Sequence, residues 1–256
     1  MKLFNLNIYS KSIDELTNEI NEFIKEYNDS PEYISCINPH SFIIATKDNI
    51  FQKALENSKW LLPDGIGIYF ASNFLGKKIQ SKITGPDFFV AFSQYINSNS
   101  NLKVYFVGSS ESVLEKLVNR YKNEFPNIVI SGTFSPPFKE VFSEKDNSKI
   151  LDRINSSGAD LVWVGMTAPK QEKWIFQNRK YLNIKLAIAI GAQFDFYSNN
   201  KIRAPFIIQK IGMEWLFRLV LEPKRLWKRT FVSAPYFVYK IFLEKLNLLF
   251  PNFFQR

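Results

Sequence analysis

Apolar positions along this chain change period, and each change marks an element. Between residues 11 and 28, behind Ser10, Ile13, Leu16, Ile20, Phe23 and Ile24 recur on one face, which predicts an amphipathic helix. Tyr33-Ile34-Ser35-Cys36-Ile37 reads as a short buried strand ending in Asn38-Pro39-His40, with a helix expected over roughly 41–57. Leu61-Leu62 runs into Pro63-Asp64-Gly65-Ile66-Gly67, a turn that opens another helical run. Leu102 to Gly108 is a further buried strand, and Ser109-Ser110 connects it to a helix from Glu111 to Tyr121, a βα unit with a capping Ser. Ile128–Gly132, Ala159–Gly165 and Leu186–Gly191 repeat the strand pattern, and a helix starts near Gln171. Strands alternating with helices and closing on Gly predict an α/β fold with a mostly parallel sheet and ligands at the strand carboxyl ends.

The pattern changes near Asn199. Phe206 to Leu221 is helical in spacing but apolar nearly all round, broken by Lys210, Glu214 and Arg218. Pro223 begins a second segment, Lys224 to Arg229, and an apolar run follows from Tyr236 to Phe250. Charge divides at the same place. Residues 201–256 carry eleven Lys and Arg against three Glu, a balance of +8, whereas residues 1–200 carry 22 basic and 21 acidic groups, a balance of +1. Two regions are therefore expected: an α/β catalytic domain over 1–200, and a basic amphipathic appendage over 201–256 suited to an anionic surface or a polyphosphate ligand. No run reaches the roughly 18 apolar residues of a spanning helix, and the start lacks an apolar leader, so a soluble or peripheral protein is expected. One cysteine allows no intramolecular disulfide, which makes a reducing compartment the default.

Candidate chemistry is sparse enough to name. Asp64, between Pro63 and Gly65, sits where a strand-end loop can hold a carboxylate in a cleft as a general base; a turn Asp or helix cap fits the same string. Gly165-Met166-Thr167-Ala168-Pro169-Lys170-Gln171-Glu172 offers a helix start whose free N–H groups, with Lys170 and Gln171, can meet a phosphate. An ordinary connection fits that segment equally. Gly108-Ser109-Ser110 lacks a full nucleotide fingerprint. The single histidine, His40, argues against a Ser-His-Asp triad or a His-rich metal site, and Cys36 reads as core. Strand-end loops hold no Asp-x-Asp pair, so a carboxylate-held divalent metal is not indicated, and no cofactor is expected. Arg218, Arg225 and Lys228 or Arg229 suit an oxyanion clamp, or a solvated face on lipid headgroups.

Taken in order, these segments resemble the WecG/TagA/CpsF family of bacterial glycosyltransferases. The carriers are Asn38-Pro39, Leu62 to Gly67, Thr84-Gly85-Pro86-Asp87, Phe106-Val107-Gly108, Gly132-Thr133-Phe134, Gly165 to Glu172, Gly191 to Asp195, Arg203-Ala204-Pro205 and Glu214 to Trp227. The resemblance runs from about residue 5 to 232. It implies a Rossmann-like body with a helical membrane-docking appendage, and inverting, metal-independent transfer from a UDP-sugar donor to a polyprenyl-diphosphate-linked saccharide. It also implies work at the cytoplasmic face of the bacterial membrane, on a wall, capsule or exopolysaccharide product, with self-association in solution. By position, Asp64 would deprotonate the acceptor, Gln171 would contact the donor or its reacting sugar, and Arg218 and Arg225 would meet diphosphate. Cys36, Asn38, Gly108, Gly165 and Lys170 would line the substrate site. The family's Thr two places before the Asn is Cys36 here, and Lys228 beside Arg229 stands where a third tail arginine is usual. Residues 233–256 are expected to add membrane contact. Two other classes fit parts of the pattern. A nucleic-acid-binding protein would use the basic, aromatic tail, although its Phe and Leu content argues for no nucleic acid. A nucleotide-dependent oxidoreductase would need the glycine fingerprint that is incomplete here.

Overall fold

Two short paired strands, β1 (Lys2–Leu3) and β2 (Leu6–Asn7), open the chain, which a computed structural model describes over residues 1–27 and 30–250. Helix α1 (Ile13–Lys25) starts at Ser12 rather than Ser10. The Ser12 hydroxyl accepts from the Glu15 N–H, and the Glu15 carboxylate accepts from the Ser12 N–H, a reciprocal cap. Strand β3 (Glu32–Ile37) is followed by α2 (Pro39–Ala45) and α3 (Asn49–Glu56), where one helix was expected. The break arises because two caps compete: Asn38 accepts from the His40 and Ser41 N–H groups, and Asp48 accepts from the Phe51 N–H. Next come β4 (Trp60–Pro63), α4 (Ile66–Phe74) and α5 (Gly85–Asn99), the last without a counterpart among the expected elements.

The rest of the body runs β5 (Lys103–Gly108), α6 (Glu111–Glu124), β6 (Val129–Phe134), α7 (Glu144–Asn155), β7 (Leu161–Gly165), α8 (Lys170–Asn178), β8 (Leu186–Ala189) and α9 (Gln193–Tyr197); its strands and the helices α6 and α8 match expected elements, and α7 and α9, like α5, have no counterpart among them. Strands β3 to β8 form one six-stranded parallel sheet in the order β4-β3-β8-β7-β5-β6. Helices cover both faces, which is why its strands read as continuous apolar runs. In β7, Leu161 and Trp163 pack with Leu16 of α1, Phe89 of α5 and Leu117 of α6, while Val162 and Val164 pack with Ile150 of α7 and Trp174 of α8. Phe89 meets Trp163 edge to face at 4.8 Å between ring centres, which locks α5 on the sheet.

Beyond the body lie α10 (Phe206–Lys210), α11 (Glu214–Leu221), α12 (Pro223–Lys228), one π-helical turn over Arg229–Ser233, and α13 (Ala234–Leu249). The helix expected over 206–221 is two, because Gly212 takes φ +78° and ends the first. Phe237 and Ile241 of α13 are buried with Phe42 and Ile43 of α2 and Ile68 and Ala71 of α4, so the appendage and the body share a hydrophobic cluster. Among the described residues no helix is long and apolar enough to cross a membrane. Of the segment 233–256 expected to add membrane contact, 251–256 lie outside the described residues.

Candidate active site

Asp64 directly follows β4, and its N–H donates to the Ile37 carbonyl at 2.8 Å, so the pairing of β3 with β4 continues one step past the strand. Gly65, at φ +82°, then turns the chain into α4, a conformation that a side chain would strain. Asn38, one residue past β3, spends its Oδ1 on the α2 cap and brings Nδ2 to 3.4 Å from Asp64 Oδ2. Two adjacent strand ends therefore hold a carboxylate beside an amide that can orient it. Cys36, paired with Leu62, is partly exposed rather than wholly in the core. Burial of its sulfur, then the charges of Asp64 and Glu172, push the thiol well above its ordinary pKa, so it stays protonated and is a poor nucleophile.

At the neighbouring strand ends, backbones meet closely. Ser109 N–H donates to the Gly165 carbonyl at 3.1 Å, and a Cβ on Gly108, at φ +123°, would collide with that carbonyl. Gly165 likewise leaves room for the Phe194 ring. Pro169, after a cis Ala168–Pro169 bond, occupies the cap position of α8 rather than its first turn. Lys170 is held by the loop that follows β6: its ammonium donates to the Lys139 carbonyl and lies 3.7 Å from the Phe142 ring centre, where burial lowers its pKa. Gln171 and Glu172 turn inward and are 2% and 1% exposed. Gln171 Oε1 accepts from the Gly191 N–H at 3.0 Å and its Nε2 donates to Glu172 Oε1 at 2.8 Å. Burial raises the Glu172 carboxyl to about 7.

The cations arrive from the appendage. Burial lowers the pKa of the Arg229 guanidinium, Asp64 opposes that shift, and Arg218 and Arg225 add to it, so the three arginines and Asp64 share one field. Arg218 lies 5.1 Å from the Phe196 ring centre, and its buried Nε has no hydrogen-bond partner among the described residues. It lines a cavity of about 150 Å³ with Phe196, Lys201, Ile202, Leu221 and Glu222. Glu222 pairs with Lys201 at 2.8 Å and with Arg225, holding basic groups at the cavity rim. Lys228 is exposed and lies 5.8 Å from the Trp227 ring centre. His40, at the start of α2, bonds Ser233 through Nδ1 at 2.8 Å; burial and Arg229 lower its pKa, so it anchors the π-helical turn as a neutral ring.

Three members of this neighbourhood escaped the sequence reading as site residues: Glu172, Gly191 and Glu222. Glu172 follows Gln171 directly but is ordinary in type for a first helical turn, and only the tertiary fold brings Gly191 to Gln171. Glu222 precedes Pro223 and reads as a helix boundary. Among the described residues no group of three His, Cys, Asp or Glu side chains is placed to hold a metal ion.

Residues 1–250 match the description "Glycosyl transferase WecG/TagA/CpsF family". The chain is similar to an N-acetylglucosaminyldiphosphoundecaprenol N-acetyl-beta-D-mannosaminyltransferase of Bacillus subtilis (strain 168), 31% identical over 234 residues that cover 91% of this chain and 88% of the relative. A protein of the same name from Bacillus spizizenii is 31% identical over 226 residues, covering 88% of this chain and 84% of its own. One from Staphylococcus aureus (strain MRSA252) is 24% identical over 234 residues, covering 91% and 89%.

Proposed function

Because the chain belongs to the glycosyl transferase WecG/TagA/CpsF family, we propose that it moves an N-acetylhexosamine from a UDP-sugar to a saccharide carried on a polyprenyl diphosphate. It is a glycosyltransferase. N-acetylmannosamine is the first donor sugar to expect, since the relatives' names specify that transfer onto N-acetylglucosaminyl-diphosphoundecaprenol. The observation that carries the reading is the convergence of Asp64, oriented by Asn38, with the field of Arg218, Arg225 and Arg229.

In this reading an acceptor hydroxyl oxygen attacks the anomeric carbon from the face opposite UDP. Its proton passes to an Asp64 carboxylate oxygen, and the bond from the anomeric carbon to the β-phosphate oxygen breaks with its electron pair on UDP, inverting the configuration. The arginines stabilise charge that grows on a diphosphate, for which guanidinium forks are suited. Gln171 holds the reacting sugar by its remaining amide hydrogen. Gly108 and Gly165 permit close approach of backbone to the donor, Cys36 lies beside it, and Lys228 serves as an outer contact to phosphate or lipid. The appendage docks the enzyme peripherally on the cytoplasmic face of the membrane, where such acceptors are anchored.

A panel of UDP-sugars offered with a short-chain N-acetylglucosaminyl-diphospholipid tests the function, read by product mass. The expected result is one added N-acetylhexosamine, with UDP-N-acetylmannosamine the best donor. No transfer from any UDP-sugar, together with salt-sensitive retention of DNA, would replace the reading with nucleic-acid binding.

A further inference from the structure

Glu172 is an acidic residue in the first turn of α8, yet it is 1% exposed and one of its two oxygens has no hydrogen-bond partner among the described residues. A carboxyl placed so is costly unless it serves something. Its neighbour Gln171, 2% exposed, is gripped at both ends of its amide. The Gly191 backbone N–H can only donate, so at 3.0 Å it dictates that Gln171 presents Oε1 there. That choice points Nε2 at Glu172 Oε1, 2.8 Å away, which accepts from it. With Oε1 and one Nε2 hydrogen engaged, a single amide hydrogen remains for a ligand. Were Glu172 apolar, the donor end would lose its partner and the amide could rock about the Gly191 bond.

We propose that Glu172 is the positioning residue of the transfer site: through the Gln171–Gly191 chain it fixes the Gln171 amide so that its one free hydrogen meets the reacting sugar. The inference rests on the transferase reading only for what Gln171 touches. The orientation itself stands on the two hydrogen bonds. In this proposal Glu172 acts through Gln171 and not on the substrate itself.

A mutant cycle and an exchange measurement test it together. Glu172→Met removes the acceptor at similar volume and is expected to lower turnover about a hundredfold with little change in donor KM, the size of effect a misplaced contact produces. In a Gln171→Ala background the same change is expected to alter turnover less than about twofold, since the partner it acts through is gone. Glu172→Gln, whose carbonyl can still accept, is expected to recover most of the wild-type rate. Equal losses in both backgrounds would overturn the proposal. Independently of activity and of any variant's folding, NMR on the wild-type chain should show one Gln171 amide hydrogen exchanging slowly with solvent. Two hydrogens exchanging at the rate of an open amide would overturn it as well. A wild-type enzyme that moved no sugar would sink the functional reading and leave the exchange result to judge the orientation.

Discussion

Burial lifts the Glu172 carboxyl to about 7 from an ordinary 4.5, so the folded chain holds a proton that the unfolded chain has already released across that window. Stability is then fullest below the lower value and falls as pH rises towards 7, by about 3 kcal/mol at most. Tyr33 and Cys36 of β3 face the same carboxyl, and both have their own ionisation opposed by it, so neither offsets the loss. Urea midpoints at pH 5 and pH 8 should therefore differ more for the wild type than for Glu172→Gln; equal slopes would show that Glu172 is not held neutral. Gly108 offers a test of a different kind. Its φ of +123° and the Gly165 carbonyl beside it leave no room for a methyl, whereas Gly158, at φ +64°, has open space. Gly108→Ala should cost about 3 kcal/mol or more, and Gly158→Ala only about 1 kcal/mol. Chemical denaturation of the two variants checks the difference.

At the scale of elements, Phe237 and Ile241 decide whether α13 belongs to the body. Both are buried against α2 and α4, and Phe237 meets Phe42 edge to face at 5.4 Å. Phe237→Ala should remove about 3 kcal/mol of packing and undock α13 first. Hydrogen exchange should rise over 234–249 while β5, β7 and β8 stay protected; uniform loss of protection would mean that the helix and sheet unfold as one unit. Strands β5, β7 and β8 were legible because both-face burial writes an uninterrupted apolar run. Helix α5 was not, although Phe88, Phe89, Phe92 and Ile96 hold helical spacing, because Thr84-Gly85-Pro86 reads as a turn. The break between α2 and α3 hides in Thr46-Lys47-Asp48, polar residues that an exposed helix face would also carry. Apolar spacing likewise runs across Gly212 without a gap. Of the residues gathered at the candidate site, Asp64, Gln171 and the tail arginines stand in segments that the sequence already singles out. The burial of Glu172 was not legible, since acidic residues in a first helical turn commonly face water, and only the tertiary return of α8 buries this one.

Across the whole molecule, the large exposed apolar side chains gather in the appendage, with Phe206, Ile207, Val220 and Phe231 among them, and Phe70 and Phe74 of α4 join from the body. Tryptophan reports on this surface selectively: Trp215 and Trp227 are exposed, while Trp60, Trp163 and Trp174 are buried. Vesicles containing anionic lipid should blue-shift the emission, brominated lipid should quench it, and the response should weaken as salt screens the basic tail. Trp215→Phe with Trp227→Phe should abolish the signal; a signal that survives would place the contact elsewhere. Deleting the appendage is a poorer test, because it also strips Phe237 and Ile241 from the shared cluster. The account turns on Asp64 as the group that takes the acceptor proton, with the arginines binding diphosphate whether or not that proton moves. The direct measurement is transfer by Asp64→Asn, from UDP-N-acetylmannosamine to the diphospholipid acceptor, beside UDP affinity by calorimetry. Turnover should fall by about 10²- to 10⁴-fold with UDP affinity nearly unchanged; turnover close to wild type would contradict the account.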